Sequence, residues 1–148
     1  LFRELRGYNN FEINQFEYTF PIAFIILTYN NVEQFERLLR TIYRPHNVYC
    51  IHIDLKSSQI IHDAIASIAQ CFDNVFISTK LEHIIYAGFN RLKADLNCMH
   101  DLIFTNYTHP NLYNKNLTAN WKYLINLAST EFPLRTNYEL TKILSMFN

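Results

Sequence analysis

Apolar runs and helix-period stripes alternate along this chain. Ile22-Ala-Phe-Ile-Ile-Leu27 is an unbroken apolar run that predicts a buried strand, and it stops at Thr28-Tyr29-Asn30. Val32, Phe35, Leu38, Leu39 and Ile42 then recur at helix spacing after a cap at Asn30 or Asn31. Glu33 and Glu36 lie early in that helix and Arg37, Arg40 and Arg44 late, which suits its dipole, and Pro45 ends it. A second strand, Val48-Tyr-Cys-Ile-His-Ile53, stops at Asp54-Leu55-Lys56. Ser57 or Ser58 caps a helix with Ile61, Ala64, Ile65 and Ile68 on one face. Residues 74–78 read as a third strand, and 88–104 as a helix with Leu92, Leu96, Met99 and Ile103 inward. Residues 122–127 form a fourth strand, and Thr136 with Glu139 makes a capping box for a last helix carrying Leu140, Ile143 and Leu144. Residues 1–20 lack a clean period and read as a lead-in loop, and 105–119 as a long polar loop. Strands and helices alternating at these lengths predict an α/β layered fold.

The first two strands and the helix between them make a strand–helix–parallel strand unit. In open parallel sheets ligands bind beyond the carboxyl ends of the strands, where Thr28, Tyr29, Asp54 and Lys56 are expected to converge. Asp54 carries two readings: a carboxylate for ribose hydroxyls or a cation, or a cap on the turn before Ser57. A metal–nucleotide site often uses two acids as D-x-D. Here the run is His52-Ile-Asp-Leu-Lys56, with a cation in place of the second acid.

Composition removes several function classes. Thirteen basic residues balance thirteen acidic ones, with no basic run, so no nucleic-acid surface is expected. Gly7 and Gly88 are the only glycines, which excludes the glycine-rich phosphate loops of dinucleotide and Walker-type sites. No apolar run is long enough to span a bilayer. The chain starts without Met, and the expectation is a piece of a longer protein, with any membrane anchor outside this sequence.

Six histidines show no ligand spacing, and His52 in mid-strand reads as a packed, hydrogen-bonded residue. No metal site is expected. Cys50, Cys71 and Cys98 form no C-x-x-C pair. Three buried thiols, or a fragment whose odd cysteine pairs elsewhere, both fit the count. Asn106-Tyr-Thr108 and Asn116-Leu-Thr118 are glycosylation sequons in one polar loop, which favours a secretory-pathway protein over an Asn-rich loop that is never modified.

Several blocks resemble one family. Phe20-Pro-Ile-Ala-Phe24, Phe35-Glu-Arg-Leu-Leu-Arg-Thr-Ile-Tyr43 and Tyr49-Cys-Ile-His-Ile-Asp54 are similar to the core-2/I-branching β-1,6-N-acetylglucosaminyltransferases (glycosyltransferase family 14). Cys71-Phe-Asp-Asn-Val-Phe76, Ile85-Tyr-Ala87, Ala94-Asp-Leu-Asn-Cys98, Asn120-Trp-Lys-Tyr-Leu-Ile-Asn-Leu127 and Phe132-Pro-Leu-Arg-Thr-Asn137 follow in the family's order. Peptide O-xylosyltransferases belong to the same broader family but resemble the chain less around Cys50 and Cys98.

The resemblance implies a GT-A-like, Rossmann-type half with a mostly parallel sheet, incomplete in this chain. Residues 1–19 would be a lead-in segment and 20–148 the N-terminal, nucleotide-sugar-binding part of the domain. It implies inverting transfer of N-acetylglucosamine from UDP-GlcNAc to a galactose- or N-acetylgalactosamine-containing glycan, by a Golgi type II membrane protein, without a metal or other cofactor. The donor positions it carries over are Leu27, Thr28, Tyr29, Asp54, Leu55, Lys56 and Tyr86, and it implies a Cys50–Cys98 disulfide. Cys71 would then seek a partner upstream of Leu1. The family's catalytic glutamate lies in a later segment; Glu82, Glu131 and Glu139 do not match its motif, and none is assigned catalysis. Departures are the long 105–119 loop, Ala128 where family members often carry cysteine, and the residues at Thr28, Tyr29 and Leu55. A catalytically inactive lumenal binding protein that keeps the nucleotide fold is the reading from a different class.

Overall fold

A computed structural model describes residues 1–104 and 121–147. Its elements are α1 (Phe2–Leu5), α2 (Gln15–Tyr18), β1 (Ile22–Thr28), α3 (Val32–Ile42), β2 (Val48–Ile53), α4 (Gln59–Gln70), β3 (Val75–Ile77), α5 (Phe89–Phe104), β4 (Tyr123–Ala128) and α6 (Asn137–Ser145). The four strands form one sheet in the order β3-β2-β1-β4. Every pairing is parallel, with Ile25 opposite Cys50 and Asn126, and Cys50 opposite Phe76. The predicted α/β class is the one observed, and the architecture is consistent with part of a GT-A-like fold.

The unbroken apolar run of β1 reflects burial on both faces. Ile22, Phe24 and Ile26 point into the larger core, with Tyr49, Ile51 and Ile53 of β2 and Phe35, Leu38 and Leu39 of α3. Ala23, Ile25 and Leu27 point the other way, onto Cys50, Phe76 and the α5 residues Ala94, Cys98 and Leu102. The result is helix, sheet and helix layers, with α3 and α4 on one side and α5 on the other.

Local signals set most boundaries. Asn31 Oδ1 accepts the Gln34 amide at the start of α3, and Tyr43 turns extended to end it before Pro45. The Thr136–Glu139 capping box opens α6 as predicted. Residues 1–20 are not a plain loop. They hold α1 and α2, and Tyr8 is fully buried against Tyr43 and Phe72.

The rotation of α5 differs from expectation. Leu92, Leu96, Met99 and Ile103 are exposed, whereas Ala94, Asp95, Cys98, Asp101 and Leu102 face the sheet. Two features fix this rotation. Cys98 is joined to Cys50 in a disulfide, with Cα atoms 5.8 Å apart. Asp101 accepts hydrogen bonds from Ser78 Oγ (2.9 Å), Thr79 N (2.8 Å) and Thr79 Oγ1 (2.7 Å). A hydrophobicity stripe ignores buried carboxylates and half-cystines, and here those hold the helix.

Candidate functional site: the carboxyl ends of β1, β2 and β4

The ends of three adjacent strands are tied together before any ligand is considered. Asp54 N donates to Thr28 O (3.0 Å), and Ser129 N donates to Leu27 O (2.9 Å), carrying the ladder one step past β2 and β4. Ser57 N then donates to Asp54 O (2.9 Å) and Lys56 N to Asp54 Oδ1 (2.9 Å), an Asx-type turn. Asp54 is therefore a turn cap, as one of its two readings required. It also lines the strand-end cavity.

That cavity, of about 180 Å³, is lined by Leu27, Thr28, Tyr29, His52, Asp54, Ile84, Arg91, Ala128 at the end of β4, and Ser129 and Thr130 after it. Cavities that enclose whole small molecules run to roughly 300–1,000 Å³, so this one has room for only part of such a molecule. Two buried polar atoms at it have no hydrogen-bond partner among the described residues: Thr28 Oγ1 and His52 Nδ1. Buried polar atoms are ordinarily satisfied, and these two are exceptions among the described residues, both closed off from solvent.

Electrostatically the site mixes one buried acid with cations at its rim. Asp54 is 5% exposed. Lys56 Nζ lies 3.6 Å from Asp54 Oδ2 and 5.6 Å from the centre of the Tyr29 ring. Burial lowers the His52 pKa from its usual value, against the raising effect of Asp54 and Glu82, and so favours the neutral imidazole.

Of the predicted donor positions, the fold gathers Leu27, Thr28, Tyr29 and Asp54 around one cavity. Leu55 and Lys56 follow on the adjoining turn, with Leu55 half exposed. Tyr86 stands apart, 98% exposed on the segment before α5. Cys71 has a free thiol directed at Ser67 O (3.3 Å). Asn106 and Asn116 lie outside the described residues. Sequence reasoning missed His52, Ile84, Arg91, Ser129 and Thr130. His52 shares its strand face with Asp54 two residues on, and Ser129 follows β4 as Thr28 ends β1; both were signals of strand parity and strand ends. Arg91, on the first turn of α5, had none.

The three glutamates left without a catalytic role are all engaged in the fold. Glu131 Oε2 accepts the Ala128 amide (2.8 Å), and Glu139 closes the α6 capping box. Glu82 accepts from Asn97 Nδ2 (2.9 Å) and pairs with Lys93 (3.2 Å), which holds its carboxyl below the usual range. A larger, mostly apolar cavity of about 490 Å³ lies between α3, β4 and α6 and shares no lining residue with the strand-end cavity.

The family model described as Core-2/I-Branching enzyme matches residues 22–148. A β-1,3-galactosyl-O-glycosyl-glycoprotein β-1,6-N-acetylglucosaminyltransferase 3 of Bos taurus is 40% identical over 147 residues, covering 99% of this chain and 31% of the relative. The Homo sapiens protein of that name is 39% identical over 147 residues, with the same coverage. A transferase of Bovine herpesvirus 4, named as a β-1,3-galactosyl-O-glycosyl-glycoprotein β-1,6-N-acetylglucosaminyltransferase, is 39% identical over 145 residues, 98% of this chain and 30% of its own length. The chain thus spans under a third of the length of these relatives. A family model matched from β1 to the last residue, over a parallel sheet with its acid at a strand end, places this chain in the core-2/I-branching enzyme family.

Proposed function

We propose that this chain is the donor-binding part of a longer inverting glycosyltransferase. That enzyme moves N-acetylglucosamine from UDP-GlcNAc to a galactose- or N-acetylgalactosamine-containing O-glycan, forming a β-1,6 branch. The relatives' names supply the reaction class. The observation that carries the donor site is the cavity at the strand ends, with Thr28, Tyr29 and Asp54 in its wall.

In this reading Asp54 accepts hydrogen bonds from the uridine part of the donor, and Thr28 and the backbone around Tyr29 frame it. Leu55 and Tyr86 complete the donor contacts, Tyr86 from the exposed segment before α5. Lys56 and Arg91 bring positive charge to the side where a diphosphate would extend. Cations can then stabilise the leaving UDP in place of a divalent metal. Asp54 suits this role because two amides, Lys56 N at 2.9 Å and Ile84 N at 3.3 Å, fix Oδ1, while Oδ2, 3.6 Å from the Lys56 ammonium, keeps lone pairs for a ligand donor. The acceptor hydroxyl is deprotonated by a carboxylate of the longer protein, since each of Glu82, Glu131 and Glu139 is engaged structurally. Maturation in the Golgi lumen, with an anchor outside this chain and N-glycans on Asn106 and Asn116, belongs to the same proposal.

The test is transfer by the longer protein secreted from an animal cell. UDP-GlcNAc and a β-1,3-galactosyl O-glycan acceptor should yield a β-1,6-linked product, and glycosidase treatment should raise the protein's mobility. Transfer of xylose to a peptide instead, or UDP binding without transfer to any glycan, would replace this reading by an O-xylosyltransferase-like enzyme or an inactive lumenal binding protein respectively.

A further inference from the structure

The sheet's ladder between β2 and β3 ends with Ser78 N donating to Ile51 O (2.8 Å). Asp101 then holds Ser78 and Thr79 while the chain leaves the sheet. It returns alongside the end of β2 as residues 82–84, and three hydrogen bonds pin it there. Glu82 N donates to His52 Nε2 (2.8 Å), Leu55 N donates to Glu82 O (3.2 Å), and Ile84 N donates to Asp54 Oδ1 (3.3 Å). Two side chains of the strand end therefore do what ladder carbonyls would do in a longer β3.

This strap leads into the segment that bears Tyr86. Gly88 N donates to Ile85 O (2.9 Å), closing a tight turn, and Ala87 takes a left-handed φ of 56° within it. A left-handed alanine is a strained residue that persists where its surroundings hold it. Asn90 Nδ2 donates to His83 O (3.0 Å) across this turn and so ties it to the strap.

A backbone N–H can donate to Nε2 only if that nitrogen carries a lone pair, so the His52 proton sits on Nδ1. Protonating the ring would set N–H against N–H at Glu82 and remove the bond. The groups facing the imidazole are Asp54 on its own strand end and Glu82 on the strap. Arg91 of α5 and the post-β4 residues Ser129 and Thr130 share its cavity, and Lys93 of α5 reaches it only through its pair with Glu82.

We infer that His52 is a positioning residue for donor binding, a neutral imidazole latch that fixes residues 82–86 across the end of β2 through the Glu82 amide. The inference rests on the proposed donor site. The latch holds Ile84, a wall of the cavity, and sets the approach of Tyr86 to it.

The test uses the longer enzyme with UDP as the probe, in wild type, His52→Leu, His52→Gln and Asp54→Asn. Leu removes the acceptor; Gln can offer an amide oxygen to Glu82 N–H but cannot titrate. His52→Leu should raise the Kd for UDP and the donor KM roughly tenfold, the equivalent of one lost buried hydrogen bond, with acceptor KM unchanged. Amide exchange at Glu82 and Ile84 should quicken in the same variant. Wild type should bind UDP more weakly on acidification, and His52→Gln should restore most of the affinity at neutral pH and lose that acid weakening. Wild-type donor affinity in folded His52→Leu, while Asp54→Asn weakens it at least roughly tenfold, would overturn the latch and leave the donor site standing. Unchanged affinity in Asp54→Asn would instead sink the donor site itself. Should His52→Leu fail to fold, His52→Gln decides alone, and an acid limb identical to wild type overturns the latch.

Discussion

Glu17 and Asn137 meet across 120 residues of chain: Asn137 Nδ2 donates to Glu17 Oε1 inside the protein. Asn47 Nδ2 donates to Asn137 Oδ1 (3.0 Å), Ile22 N donates to Asn47 Oδ1 (2.9 Å), and Arg44 Nε lies 3.6 Å from Glu17. One buried polar network thus ties α2, the start of β1 and α6 together. Glu17→Ala leaves Asn137 and Arg44 facing an apolar gap, and should lower unfolding free energy by about 2–3 kcal/mol in urea titrations. A change within about 0.5 kcal/mol would show that the network adds nothing net.

The Cys50–Cys98 disulfide closes a loop of sequence separation 48 and joins β2 to α5. In the chain-entropy model a loop of that size contributes about 4 kcal/mol. Cys50→Ala/Cys98→Ala should lose stability of that order, and non-reducing peptide mapping of wild type should recover the linked pair. Free thiols at both positions in secreted protein would contradict the linkage.

Acid should weaken the fold through two buried histidines. Burial, opposed by Glu17 and reinforced by Arg44, lowers the His46 pKa to about 4, and burial lowers that of His52 as well. The unfolded chain takes up these protons near its ordinary value of about 6.5. The His46 contribution is therefore complete above that pH and is lost as pH falls through it toward about 4, and His52 acts in the same direction. Thermal melts of His46→Leu should show a shallower loss of Tm between those values than wild type; parallel curves would refute the assignment.

Much of this fold was legible because its signals are local. The apolar runs of β1 and β2, the Asn31 cap and the Thr136–Glu139 box each act within a few residues, and the structure shows each of them. The convergence of Thr28, Tyr29 and Asp54 followed from parallel-sheet geometry alone. What escaped depends on distant partners. The face α5 buries is set by Cys50, Ser78 and Thr79, and its Leu stripe gave the opposite rotation. The strap over β2 depends on a histidine whose acceptor role has no pattern in sequence. The buried role of Glu17 could not be read without Asn137 beside it.

Turnover by the longer enzyme should be unchanged in EDTA. Asp54 is committed to two amides and faces Lys56, and the proposed counter-charge to the diphosphate is Lys56 and Arg91. Loss of activity in EDTA that manganese restores would overturn the metal-free mechanism.

The central claim is that the strand-end cavity binds the donor nucleotide through Asp54, and calorimetric titration of the longer protein with UDP tests it most directly. Asp54→Asn keeps an oxygen for the Lys56 and Ile84 amides and removes the charge, so the turn survives while the ligand contact weakens. Losing a charged hydrogen-bond partner costs about 1.5–3 kcal/mol, so the account predicts a Kd roughly 10- to 100-fold higher than wild type with an unchanged melting curve. Wild-type affinity for UDP in folded Asp54→Asn would contradict it.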